Sequence, residues 1–400
     1  MISVAEARQR ILALLEVTEA ENVPLKDATW RVLARNIVAT HSHPQSAISS
    51  MDGYAVRGAD ALPGALLQLV GEVPAGSTYA GPSLEAGTTV RVFTGAALPQ
   101  GTDRVVIQEQ VCQEGTTVTL GAELEASRFI REAGCDFKPG FELTAPRKLD
   151  PASISLAAAM NFASVPVRRR PDVAIIPNGD ELVYPGDDLS PGKLVASNIY
   201  GLKAIVEQAG AIARLMPIAR DRKSSIRNVL EMAATADLVV TIGGASVGDY
   251  DLIESMAFEF GYERSFHKIA MRPGKPLMAG RLRSTPHVGL PGNPVSALVC
   301  GYVFLVPAVA AMLGRENGGL RMGHAQLEKS LGANGPREHY MRARVSVTDG
   351  KSSIRVFRRQ DSSLLSVMSS ANALAVRPPH DPARDPGETM NFIGFQGFVQ

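Results

Sequence analysis

The segment DLVVTIGGASVGDYD, from Asp237 to Asp251, runs a buried-strand pattern into a glycine-serine-glycine turn that exits on two carboxylates. Gly243, Gly244 and Gly248 let a backbone approach an anion closely and turn its N–H groups onto it, and Ser246 adds a hydroxyl donor. Asp249 and Asp251 would repel that anion unless a hard cation bridged the two, and Mg2+ favours carboxylates together with substrate phosphates. The chemistry this pattern could do is to hold a phosphate beside a divalent metal.

A second set of residues is cationic. MRPGKP (Met271–Pro276) puts Arg272 and Lys275 on a rigid Pro-Gly turn, and Lys268 adds a third positive charge just before it. A fixed group of cations suits an oxyanion, although exposed Lys and Arg are commonly only solvated surface. LPGNPVS (Leu290–Ser296) follows, where Pro291 and Pro294 frame a turn at an expected helix start. Asn293 or Ser296 then lies near free N–H groups able to bind an anion, or Asn293 simply caps the helix. Asp52 in MDGYAV, Thr94 in FTGA and Asp136 in GCDFKPG fit turn formers as well as functional groups. The histidines show no H-x-x-x-H and no triad-like pattern, so nucleophilic catalysis by a Ser-His pair has no support. His41 and His43, beside Pro44, read as loop residues.

These residues need a scaffold, and the punctuation of the chain supplies one. From Asp172 to about Leu313 strand and helix patterns alternate: VAIIP, RLMPIA and LVVTIGG read as strands, and SNIYGLKAIVEQAGA, SIRNVLEMAATA and LIESMAFEFG as helices. Such alternation predicts a three-layer α/β domain, a parallel sheet with helices on both faces. Ligands of these folds sit outside the carboxyl ends of the strands. The loops NGDEL, ARDRK and GGASVGDYD should therefore share one crevice, on which Glu181, Asp221, Asp249 and Asp251 converge.

The remaining sequence divides around this domain. Residues 47–146 read as a β-rich domain, 171–320 as the α/β domain and 321–400 as a C-terminal β domain, with 1–46 and 147–170 forming a helical and mixed connector. Ser3 and Glu6 make a capping box for an N-terminal amphipathic helix, which is expected to pack with the Ile154–Phe162 helix. The near balance of 41 basic and 40 acidic residues gives no whole-chain field for nucleic acid or an anionic membrane. Cys112, Cys135 and Cys300 show no C-x-x-C pairing, which fits a reduced, cytoplasmic protein. The apolar run Val295–Leu313 is long enough to span a bilayer, yet it follows a Pro-Gly-Asn-Pro turn, contains Gly301 and Pro307, and lacks flanking Lys/Arg clusters. A buried helix is the better reading.

Taken together, MDGYAV, FTGA, AGCD, NGDEL, Ser197-Asn198, GGASVGDYD, RPGKP and LPGNPVSA resemble, in order and spacing, the molybdopterin molybdenumtransferases, a family that includes the C-terminal domain of gephyrin. The match runs from Met51 to Ala297, with weaker support from QDSSLLSVMSSANAL (Gln360–Leu374). The resemblance implies insertion of molybdate into adenylylated molybdopterin, with Mg2+-dependent phosphoanhydride cleavage and release of AMP. It implies an elongated homodimer in which Asp52, Thr94 and Asp136 reach, in trans, the crevice lined by Glu181, Asp221 and Asp251. It also adds Arg337, Arg342 and Ser366 of a barrel-like C-terminal domain to the molybdate contacts. Departures are Ala47 and Ile48 before MDGY, Arg272 where lysine is frequent, and Val367 where serine is frequent. Two alternatives are an adenylyltransferase acting on molybdopterin, which the extra domains disfavour, and a gephyrin-like scaffold, which the retained acids disfavour.

Overall fold

A computed structural model of the chain describes residues 1–243, 259, 261–315 and 319–395. Its central sheet runs in the order Ile212–Leu215, Asp172–Pro177, Leu238–Ile242, Thr285–Leu290, Met278–Leu282 and Tyr262–His267. The first four strands are parallel. Along Asp172–Pro177 the side chains alternate between two cores: Val173 and Ile175 pack with the Asn198–Ala209 helix, Ala174 and Ile176 with the Lys223–Ala233 helix. Both faces are thereby covered. Each fully buried aliphatic side chain contributes about 1.5–3 kcal/mol of transfer free energy.

The sheet differs from an all-parallel reading at Met278–Leu282, which runs antiparallel to both of its neighbours. Arg283 and Ser284 alone connect Met278–Leu282 to Thr285–Leu290, and a two-residue link joins only antiparallel neighbours. Arg283 takes φ of 54°, as such a tight turn requires. The strand read at RLMPIA lies earlier, at Ile212–Leu215, while Met216 and Ile218 are buried beyond its end.

The apolar run after the Pro-Gly-Asn-Pro turn forms one 19-residue helical stretch, Pro294–Met312, and most of it is buried in the α/β core. A π turn at Gly301–Leu305 interrupts it, with the Val306 N–H donating to Gly301 O. That register slip precedes Pro307, which has no N–H to give.

Ser3 caps the Val4–Leu12 helix by accepting from the Glu6 N–H at 3.1 Å. This helix does not pack with its expected partner. Val4, Ala7 and Ile11 are buried in the α/β core, whereas the Pro151–Ala159 helix packs with Leu33, Leu143 and Val165 in a separate core. Beside the latter lies a sheet ordered Ala20–Pro24, Ser164–Arg168, Val32–Leu33, Arg147–Lys148. A six-stranded sheet built from Gly53–Val56, Leu66–Val73, Thr88–Val92, Arg104–Ile107, Val111–Glu114 and Thr117–Leu120 makes the β-rich region.

At the C-terminus, Glu338–Thr348, Lys351–Val356, Arg321–Leu327, Thr389–Gly394 and Ala373–Arg377 pair in sequence, and the last returns to the first. The result is a closed five-stranded barrel around Val345, Ile354, Ala375 and Phe392. Met271–Arg272 joins it from the α/β domain, pairing with Glu338 and His339.

Candidate active site

The carboxyl ends of the parallel strands are tied into one rim. The Asn178 N–H donates to Ile242 O, Gly179 N–H to Ala219 O and Gly243 N–H to Leu290 O, each at 3.1 Å. Asn198 closes the rim by donating its side-chain amide to Gly292 O at 2.8 Å. Asp180 and Asp221 lock the loops they belong to: the Asp221 N–H donates to Asp180 Oδ1 at 3.1 Å and the Asp180 N–H to Asp221 Oδ2 at 3.3 Å. Glu181 folds back over Gly179, where a Cβ would meet its Oε2 at 2.3 Å. Glu181 and Asp221 thus belong to one rim, as expected from strand-end geometry. Gly244, Ser246, Gly248, Asp249 and Asp251 lie outside the described residues.

Two members of this rim do not stand out in the sequence. Asp180 is adjacent to Glu181 in NGDEL, and its locking role shows only in the fold. Asn178 follows a buried strand, and its Oδ1 is buried with no hydrogen-bond partner among the described residues. A polar residue immediately after an apolar strand is the signal that could have found it.

The turn that carries the cationic residues packs against the Pro294–Cys300 helix. Gly274 takes φ of 113°, and a Cβ there would lie 2.7 Å from Cys300 Sγ, so the Pro-Gly turn rests directly on this helix near Ser296. The Ile269 N–H donates to Lys275 O and the Lys268 N–H to Leu277 O, each at 3.0 Å. This loop presents Arg272 and Lys275 to solvent and keeps Lys268 half-buried. Pro291 and Ser296 are buried, and Pro294 opens the helix. The capping role considered for the Asn293 side chain is not taken up: it makes no capping bond.

A loop of the C-terminal domain closes over this helix start. Val295 N–H donates to Ser362 O at 3.0 Å, while Arg342 Nη2 donates to Arg359 O and the Arg342 N–H to Gln360 Oε1, each also at 3.0 Å. Ser296 and Arg342 are therefore held to the same short segment, and Ser366 stands on the Leu365–Ser370 helix that follows it. Arg342 is 0% exposed, and its Nε and Nη1 are buried without partners among the described residues. Burial pulls this guanidinium below its ordinary range, so the charge is held at a cost. Arg337 sits one residue before the docking strand and directs Nη1 toward Met271 O at 3.5 Å.

Asp52 and Thr94, 42 residues apart, form one unit. The Thr94 N–H and hydroxyl donate to Asp52 Oδ1 at 2.7 and 2.8 Å. These two bonds hold the Asp52 carboxyl below the usual carboxylate range. Asp136 is exposed and its N–H donates to His43 O at 3.1 Å, but no hydrogen bond joins it to the Asp52–Thr94 pair. The structure thus shows three groups: an acidic strand-end rim, a set of cations of which Arg342 is buried, and a carboxylate-hydroxyl pair on a different domain.

Residues 2–161 match the family model of the MoeA N-terminal region (domain I and II), 174–311 that of a "Probable molybdopterin binding domain", and 324–395 that of the MoeA C-terminal region (domain IV). The chain is 35% identical over 377 residues to the molybdopterin molybdenumtransferase of Nostoc sp., covering 90% of this chain and 85% of that protein. It is 30% identical to the enzyme of the same name from Bacillus subtilis, covering 98% and 94%. A molybdopterin biosynthesis moeA protein from Pyrococcus horikoshii shares the fold with a TM-score of 0.83 and 27% identity, covering all of both chains.

Proposed function

This chain belongs to the molybdopterin molybdenumtransferase family and is an enzyme of molybdenum cofactor biosynthesis; on that basis we propose that it cleaves adenylylated molybdopterin, inserts molybdate and releases AMP. The observation that carries this reading is Arg342, whose buried Nε and Nη1, without partners among the described residues, offer donors for a tetrahedral oxyanion. Arg272, Lys275, Lys268, Ser296, Arg337 and Ser366 contribute to the same pocket. The acidic rim takes the diphosphate end, with the glycine turn from Gly243 supplying N–H donors.

An all-oxygen donor set fits a hard cation, and Asn178 Oδ1, without a partner among the described residues, is a further acceptor at the same strand end. Among the described residues no cluster of three acids or histidines is close enough to hold an ion alone. The proposed Mg2+ site therefore joins Glu181 and Asp221 to Asp249 and Asp251. Bound there, Mg2+ would polarise the phosphoanhydride. Asp52, Thr94 and Asp136 are assigned to the site of the second subunit in a homodimer. Free cysteines at Cys112, Cys135 and Cys300 are consistent with a cytoplasmic location.

The test is to supply purified protein with adenylylated molybdopterin, Mg2+ and molybdate. AMP release together with active cofactor is the expected result. Cofactor formation from non-adenylylated molybdopterin, or no AMP, overturns the proposed substrate. Chelation of divalent cations should stop AMP release, and Asp221→Asn should raise the Mg2+ concentration needed for half-maximal rate.

A further inference from the structure

Across the seam between the α/β domain and the barrel, His339 is the register partner of Arg272 on one side and Arg377 on the other. Directly opposite residues of adjacent strands share a face, so Arg272, His339 and Arg377 stand in a row. Arg337 lies two residues before His339. The imidazole is only 7% exposed, and no hydrogen-bond partner for it occurs among the described residues.

The neighbouring charges are unequal. Arg377 is spent internally: its Nε donates to Asp381 Oδ2 at 2.7 Å, its Nη1 to Gly332 O at 2.6 Å, and its Nη2 to Pro382 O. Asp381 is shared with Arg384 as well. Glu338 is engaged by the Tyr340 hydroxyl at 2.6 Å and projects from the opposite face of the strand. Arg272 and Arg337 pair with no carboxylate among the described residues. Two uncompensated guanidinium groups thus flank a nearly buried ring that has no partner.

We infer that His339 is a further oxyanion-binding residue, and that entry of the anion is coupled to protonation of its imidazole. The inference rests on the reading that Arg272 and Arg337 hold the oxyanion. Without an anion, burial first, and then the positive charges of Arg272, Arg342, Arg377 and Arg337, push His339 down to about 4. A tetrahedral dianion between Arg272 and Arg337 cancels much of that repulsion and accepts the imidazolium N–H. One proton passes from solvent to the ring, and no covalent bond changes. Because the anion raises the affinity of the ring for its proton, a lower pH strengthens anion binding, by at most about tenfold per pH unit.

Titration calorimetry of the full chain with tungstate, in buffers of differing ionisation enthalpy, counts protons taken up per anion bound. Uptake in the wild-type protein that disappears in His339→Gln, and also in His339→Asn, is the expected result. Binding without proton uptake, or uptake unchanged in both variants, overturns the inference and leaves the oxyanion pocket standing. The wild-type measurement decides the point even where a variant fails to fold. Tungstate binding that survives both Arg342→Ala and Arg337→Ala removes the pocket reading itself, and no tungstate binding by the wild-type protein removes both.

Discussion

At Arg342 the fold buries a guanidinium whose Nε and Nη1 have no partner among the described residues, an arrangement that costs stability and suits a bound anion. Leaving a buried donor unpaired costs about 1–3 kcal/mol. Arg342→Met should therefore raise the melting temperature of the protein free of anion while abolishing its stabilisation by tungstate. A lower melting temperature would show that the side chain is structural. His287 poses a related problem in the core: it is buried, its Nε2 shares a hydrogen bond with Thr241 Oγ1 at 3.0 Å, and its Nδ1 has no partner among the described residues. Burial pushes it down to about 4. The unfolded chain then binds more protons below the ordinary histidine range near 6.5, so stability present at neutral pH is lost as pH falls from about 6.5 toward 4. The loss from this residue alone is up to about 3 kcal/mol, because each tenfold change in proton affinity is worth about 1.4 kcal/mol. Denaturant melts of wild type and His287→Gln across this range should show a shallower pH dependence in the variant, and equal slopes would acquit His287.

The turn Arg272–Lys275 is the element on which the cationic pocket depends most. Gly274 combines φ of 113° with a close approach to Cys300 Sγ, so an added methyl is both strained and obstructed. Gly274→Ala should cost on the order of 1–3 kcal/mol through backbone strain and shift Lys275 off the helix start. Chemical denaturation and tungstate affinity are expected to fall together. Full affinity in a destabilised variant would mean that the turn supports the fold without placing the cations. The acidic rim has a different support, since Asp180 and Asp221 lock their loops by reciprocal backbone bonds. Asp180→Ala removes one half of that lock without removing a proposed metal ligand, and should weaken Mg2+ dependence less than Asp221→Ala in the AMP-release assay.

Across the whole molecule, the Asp52–Thr94 pair and the strand-end rim stand on different domains, and the proposed dimer brings them together across subunits. Asp52→Ala and Glu181→Ala proteins, each inactive alone, should regain activity on mixing and subunit exchange, with roughly a quarter of the sites wild type in a two-fold dimer. No recovery despite demonstrated exchange would place both residues in one subunit's site. Much of this organisation was legible in the chain. The N-cap at Ser3, the alternating strands and helices, and the loops bearing Glu181 and Asp221 follow from local propensity and hydrophobic period, which act over a few residues. So did the burial of the run after Pro294, where glycine and proline marked a core helix. The antiparallel extension of the central sheet, the docking of the N-terminal helix on the α/β core and the closure of the C-terminal barrel were decided by tertiary packing, because pairing partners are chosen by contacts between distant segments. The same holds at the site. Residue types and spacing pointed to an anion site beside acids and a second group of cations, but only the fold could bury Arg342, bond Asp52 to Thr94 and set His339 between Arg272 and Arg377, since burial and cross-strand register have no representation in a linear pattern.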